Sequence, residues 1–326
     1  MLKTLYDYNI YKDFIAAKPD NVFGDDFRLW RNYFEFLKSG TDLMLANNPG
    51  DLHDNLINEL TTGRGETRIS SVRKFKGFHK NRIPKSYGID NLFFIDEPGS
   101  EEQKRYRSAN PYFFGFINDH LDAFAKLSFA GKKRSIPVRS GSSESQFTSW
   151  STLDKYILPF SDCIIIDNYI FSQPDKVLEQ NIGRILQILD KTAPSDYNIL
   201  IITFHGKQKQ ITLKGVRKFI EGLQVRNGLR GKISVIVTRN IEHDRNIIMN
   251  YMRIYSGNSF NYFDKDGRLN DKIKTQIDFL PLIDPEQFYI ASSILSDVSK
   301  EVSGIIKRAD PEEVYGDCRN RLLLQE

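Results

Sequence analysis

The chain is poor in cysteine: of 326 residues only Cys163 and Cys318 are cysteines, one in an apolar run and one in a charged tail. That excludes a disulfide framework and a cysteine-based zinc site, and both are expected as free thiols. Long apolar runs are also missing, none approaching the roughly 18 residues of a membrane span. The opening Met-Leu-Lys-Thr-Leu-Tyr-Asp-Tyr lacks a signal peptide's apolar stretch, so the expected compartment is the cytoplasm. No internal repeat is evident. What is there is ordinary for a soluble globular protein: 40% hydrophobic, 12% aromatic and 27% charged residues. The length suits two domains, each with its own core.

A net charge of +4 says little, but its distribution says more. Arg64, Arg68, Arg73, Lys74, Lys76, Lys80, Arg82 and Lys85 fall within one segment with Glu66 as its sole acid, and Lys132, Lys133, Arg134 and Arg139 form a second patch. Clustered cations with Phe75 and Phe78 nearby suit a nucleic-acid backbone and its bases. The plainer reading is a solvated surface.

Residues 1–149 are read as a basic α+β domain. Asp26–Leu37 has the spacing of a helix carrying Phe27, Trp30, Phe34 and Leu37 on one side, and Asp51–Leu60 repeats that period. Thr41–Ala46, Asn91–Asp96 and Tyr112–Ile117 read as strands. Lys132–Ser149, polar and short of core-forming side chains, is the linker candidate, or else a basic loop that a ligand orders.

Residues 150–326 have sharper periodicity. Cys163–Asp167, Asn198–Phe204 and Ile233–Val237 are apolar runs of buried-strand length. Between them, Lys176–Asp190 and Leu213–Leu223 each carry one apolar helical face. This βαβαβ order predicts an α/β domain with a mainly parallel sheet, whose ligands gather at the carboxyl ends of the strands. After the third strand the pattern changes to alternation, with an antiparallel strand and turn ending at Ser256–Ser259. Asp264–Asn270 begins like a calcium loop but lacks the closing Glu, and is read as a turn. Ser292–Lys307 reads as an amphipathic core helix.

The segment His243-Asp-Arg245-Asn-Ile-Ile-Met-Asn250, followed by Gly257, Asn258 and Ser259, reaches that rim and is the most informative in the chain. It resembles the catalytic motif of the phospholipase D superfamily, in which a His is followed by a Lys two residues later, an Asp after four more, and a Gly/Ser/Asn patch. Arg245 stands at the Lys position and Asn250 at the Asp position. In that superfamily the His attacks phosphorus, the Lys holds the phosphoryl oxygens, and the Asp helps hold a proton on a His; no metal or organic cofactor is needed. Arg can grip phosphate in bidentate fashion, whereas Asn cannot stabilise an imidazolium by charge. Weakened or absent turnover is the expectation.

Over about a third of the chain, Ile164–Tyr169, Ile199–Thr203, Ile241–Ile247 and Gly257–Phe263 are similar to the phospholipase D-like C-terminal domain attached to microtubule-interacting-and-trafficking domains. That resemblance implies a fold that has lost catalysis and binds membranes or partner proteins, with bacterial relatives in multidomain proteins of antiviral type. Membrane binding is not expected to carry over.

The candidate ligand site is therefore His243, Arg245 and Asn250 with Gly257, Asn258 and Ser259, joined by Asp167 and Tyr169 from the neighbouring strand end. It would recognise nucleic acid, another phosphate-bearing ligand or a partner protein. One alternative is a phosphodiesterase using His243, with a homodimer bringing two motifs together. Another is an adaptor in which His243 and Arg245 form an internal hydrogen-bond cluster that neutralises Asp167. His205-Gly-Lys207, with Thr212 beyond, is a weaker second half-site or a solvated turn.

Overall fold

A computed structural model describes residues 2–47, 60–62, 68–73, 83, 87–130, 132–139, 146–194, 196–204, 212–239, 244–308 and 312–323. The chain divides into two compact units, Met1–Gly131 with Leu282–Phe288, and Lys132–Pro281 with Tyr289–Glu326. The division falls 18 residues before the expected 149/150 boundary.

The first unit contains β1 (Lys3–Asp7), α1 (Tyr8–Ala16), α2 (Asp25–Glu35), β2 (Asp42–Asn47), β3 (Ile69–Arg73), β4 (Asn91–Ile95), α3 (Ser100–Ala109), β5 (Phe113–Phe116) and α4 (His120–Ala130). Its sheet runs β3-β2-β1-β4-β5, with every pairing parallel. The overall α/β class is as expected, but this half is itself a parallel α/β unit rather than α+β. Alternation along the strands gives the sheet two aromatic faces. Leu5, Phe93, Phe114 and Phe116 form one core. Tyr6 and Phe94 meet at 5.2 Å, and Tyr33 and Phe124 stack at 4.3 Å. The expected helix over Asp51–Leu60 lies outside the described residues except for Leu60.

The second unit contains β6 (Arg134–Val138), β7 (Asp162–Ile166), α5 (Asp175–Leu178), α6 (Arg184–Thr192), β8 (Asn198–Phe204), α7 (Leu213–Asn227), β9 (Lys232–Thr238), β10 (Arg245–Met249), β11 (Met252–Ser256), β12 (Thr275–Pro281), α8 (Pro285–Arg308) from Tyr289 onward, and β13 (Val314–Tyr315). The sheet order is β13-β9-β8-β7-β10-β11-β12-β6. Strands β7, β8 and β9 are parallel, as the apolar runs and the helices between them require.

The other five pairings are antiparallel, so a mainly parallel sheet describes only the centre. Antiparallel neighbours need no crossover helix, and here β10 turns directly into β11. The segment expected as a linker supplies β6, an edge strand. Pro137 is tolerated on such an edge, where its carbonyl accepts the Phe147 N–H at 2.9 Å and no continuous ladder requires an N–H from it.

Two details fix the ends of the helices. Thr212 caps α7 by accepting a hydrogen bond from the Gly215 N–H at 3.3 Å, and Gly228 closes it at φ +60°. Thr212 is thus a helix cap; His205 and Lys207 lie outside the described residues. The stretch read as one helix from Lys176 to Asp190 is α5 and α6 joined by a wider π-type turn, Glu179–Gly183. Both cysteines are buried and free, and no helix among the described residues is long and apolar enough to cross a membrane.

Candidate functional site

Strand β7 ends at Ile166, and Asp167 turns the chain at the carboxyl end of the parallel strands. The Asp167 carboxylate is fully buried yet has donors on both oxygens. Oδ1 accepts the Tyr169 N–H at 2.9 Å, and Oδ2 accepts the Ser259 hydroxyl and the Phe260 N–H, each at 2.8 Å. Asn261 continues the clamp, its Nδ2 donating to the Tyr169 carbonyl at 2.7 Å. One acid thus ties the turn after β7 to the segment after β11. Burial pushes its pKa up, and the hydrogen bonds and the nearby Arg245 charge oppose that rise without cancelling it.

Arg245 opens β10. Because β10 runs antiparallel to β7 with Asn246 opposite Ile166, Arg245 arrives at the rim that carries Asp167. Its side chain is 9% exposed, and its Nε has no hydrogen-bond partner. The guanidinium carbon lies 5.5 Å from the centre of the Tyr169 ring, a cation–π distance. Tyr169 itself is 41% exposed. Among the described residues Arg245 forms no ion pair, with Asp167 or any other acid.

Arg253 makes the contrast. It is also buried, and burial lowers its pKa, but its Nε donates to Asn246 Oδ1 at 2.8 Å, with Asp244 and Asp278 supplying opposite charge. An internal arginine here is given partners, and Arg245 is not.

The remaining candidates separate. Ser259 is within the Asp167 clamp, while Gly257 and Asn258 are exposed on the turn that leads to it, the Asn258 N–H donating to Ser256 Oγ at 3.2 Å. A Cβ on Gly257 would meet only Thr275 Oγ1, at 3.9 Å, so nothing there demands glycine. His243 lies outside the described residues.

Asn250 is not at the rim. It follows the far end of β10, roughly 17 Å from Arg245 at about 3.4 Å per residue. There it is 2% exposed and accepts the Ser161 N–H at 3.3 Å through Oδ1. One step past the Met249–Cys163 pair stands Asp162, also fully buried. The residue at the motif's Asp position therefore anchors the opposite end of the sheet.

Of the basic residues, Arg64, Lys74, Lys76, Lys80 and Arg82 lie outside the described residues, as does the Arg73 side chain. Arg68 is exposed in the first unit, next to β3. Lys132 and Lys133 are exposed in the second unit, just before β6, and Arg134 lies half-buried in that strand with its guanidinium 5.8 Å from the Tyr156 ring.

Sequence reasoning missed the Phe260 and Tyr169 amides, which hold Asp167 through backbone groups and so leave no mark in the residue pattern. It also missed Asn181, described below. In the first unit it missed the reversal of strand order between β1 and β4. There Asp7 Oδ2 accepts the Asp96 N–H at 2.7 Å, and Asn9 Nδ2 donates to Asp96 Oδ2 at 2.6 Å.

No protein-family model matches the sequence, and no curated protein matches it. Among solved structures, the chain is similar to the crystal structure of phosphatidylserine synthase from Haemophilus influenzae Rd KW20, at 14% identity and a TM-score of 0.30. The match covers 64% of this chain and 48% of that one, so the chain spans about half the length of that protein.

Proposed function

We propose that the second unit is a phospholipase D-like domain that recognises a phosphate-bearing ligand at the rim formed by Asp167, Tyr169, Arg245 and Ser259, and that it does so without turnover. The observation that carries this reading is the burial of Arg245 without a hydrogen-bond or ion-pair partner among the described residues. Holding a guanidinium out of water without hydrogen-bond partners costs stability, and an anionic ligand would offset that cost.

Asp167 has a positioning role. It fixes the turn bearing Tyr169 and the segment bearing Ser259, and its own oxygens are occupied by donors, so it does not compete for Arg245. The Tyr169 ring stands beside the guanidinium and is partly exposed, open to an apolar or ring portion of the ligand. Binding without turnover follows from Asn250, which is neutral and lies away from the rim. The superfamily reading rests on the spacing of His243, Arg245 and Asn250; the narrower likeness to trafficking-domain proteins rests on His243-Asp-Arg245 with Tyr262-Phe263.

The test is binding of labelled single-stranded DNA and RNA and of duplex DNA at 50 and 200 mM salt, with the whole chain and with Arg245→Met and His243→Ala. Salt-sensitive binding that Arg245→Met weakens supports the reading. Cleavage that disappears in His243→Ala would replace recognition by turnover. Binding unchanged by Arg245→Met would remove the rim from the account.

A further inference from the structure

A cavity of about 370 Å³, within the range of small-molecule sites, lies in the second unit. Its walls come from three places. Ser149 and Ser151 stand at the start of the short turn Trp150–Lys155. Gln180 is on the π-type turn, with Arg184 and Gln187 on α6, and Phe263 and Gly267 are on the loop before β12. None of the rim residues discussed above lines it.

The walls are held by one side chain. Asn181 is fully buried; its Oδ1 accepts the Phe263 N–H at 2.9 Å and the Trp150 Nε1–H at 3.4 Å, while Nδ2 donates to the carbonyls of Phe263 and Val177, both at 2.8 Å. The extra residue of the π-type turn widens the buried face, so that Asn181, Ile182 and Gly183 all point inward in succession. Gly267, at φ +75°, brings its loop against Gln180; a Cβ there would stand 3.2 Å from Gln180 Oε1. The cavity is thus formed before any ligand arrives.

Its chemistry is one-sided. No acidic side chain lines it, and Arg184 is the only charge. Two acceptors of the lining are already taken by its own donors: Gln187 Oε1 accepts from Arg184 Nη1 at 3.0 Å, and Ser149 Oγ accepts the Ser151 N–H at 3.2 Å and the Ser151 hydroxyl at 3.0 Å. The acids of the adjoining loop are engaged as well, Asp264 Oδ1 by the N–H groups of Asp266 and Arg268, and Asp266 by Lys265. With the cation of Arg184 and no acid among these side chains, the lining favours an anion: the Gln187 amide, the Ser149 hydroxyl and the rest of the Arg184 fork are donors beside the Gln180 amide, with Phe263 and Trp150 as the apolar wall.

We infer that this cavity binds a small organic anion, a carboxylate or a phosphate monoester attached to an apolar or aromatic portion. The anionic head meets Arg184, Gln187 and Ser149, and the apolar portion lies toward Phe263. The inference does not depend on the Arg245 rim.

The experiment is NMR titration of the whole chain with benzoate, phenyl phosphate and the neutral analogue benzamide, followed at the Trp150 indole N–H and the Gln180 and Gln187 side-chain amides, with Arg184→Met in parallel. Thermal melts of the exposed Arg184→Met variant establish that it folds. Saturable shifts with benzoate or phenyl phosphate, at least tenfold weaker with benzamide and tenfold weaker in Arg184→Met, are expected; which anion binds tighter identifies the head group. Retention of Arg245-dependent nucleic-acid binding in Arg184→Met separates this site from the rim. The inference is overturned if neither anion gives a saturable shift, if benzamide binds as well as benzoate, or if Arg184→Met changes nothing.

Discussion

Arg245 and Asp167 stand across from each other at the ends of adjacent antiparallel strands, yet they form no ion pair. The acid accepts two backbone amides and a hydroxyl, and the guanidinium has an aromatic ring at 5.5 Å. A carboxylate with donors on both oxygens, facing a guanidinium with no hydrogen-bond partner among the described residues, is the relationship on which the proposed anion site rests.

Arg245→Met removes that capacity while retaining a long apolar stem. Affinity for a phosphate-bearing probe should fall tenfold or more, about 1.4 kcal/mol, with the salt dependence of binding reduced by about one unit of slope. Arg245→Lys keeps the charge but loses the planar fork, and should fall between the two. Fluorescence anisotropy across a salt series measures both.

Asp167→Asn should destabilise the second unit by about 2 kcal/mol, because an amide NH2 would face the Ser259 hydroxyl or the Phe260 N–H in place of an acceptor. The pH dependence has a defined sign. Burial raises the folded-state pKa of Asp167 above its ordinary 3.8, so the folded chain binds the proton more tightly than the unfolded one. This contribution is complete below the unfolded pKa and is lost as pH rises through the folded value. Urea unfolding from pH 4 upward should therefore show the gap between wild type and Asp167→Asn narrowing as pH increases.

The central strands β7, β8 and β9 were legible because each is an unbroken apolar run with a one-faced helix after it. Strands β1 and β3 were not: Lys-Thr-Leu-Tyr-Asp and Ile-Ser-Ser-Val-Arg are short and half polar, and without them the all-parallel first sheet could not be deduced. Strand β6 was hidden by Pro137 and its flanking cations, residues that edge strands use against unwanted pairing. That Arg245, Asp167, Tyr169 and Ser259 meet at one end of the sheet was readable from spacing at strand ends. Asn250 was misplaced because matching a motif by spacing treats both ends of a strand as one place.

Asn250→Asp restores the residue type of the superfamily motif but adds a second carboxylate to a buried position beside Asp162. It should cost about 3 kcal/mol at pH 7, with part of the loss recovered in acid as the new group takes up a proton. It should create no phosphodiesterase activity. Denaturant unfolding at pH 7 and pH 5, with a cleavage assay alongside, checks both statements.

Asn181→Ala strips partners from the Phe263 N–H and carbonyl and from the Trp150 indole. The expected loss is about 2–3 kcal/mol, larger than deletion of an exposed amide would give. Because Phe260 remains bound to Asp167, the rim should keep its nucleic-acid affinity while the loop before β12 gains hydrogen-exchange rate.

The Phe260 N–H reaches the Asp167 carboxylate across 93 residues of chain. Closing so long a span is slow and comes after local helices and hairpins have formed. A chain emerging from the ribosome carries the Asp167 carboxylate well before it carries Arg245 and the segment that completes the rim, so anion affinity should be among the last properties acquired in folding. It could serve as a kinetic marker that the whole second unit has been assembled.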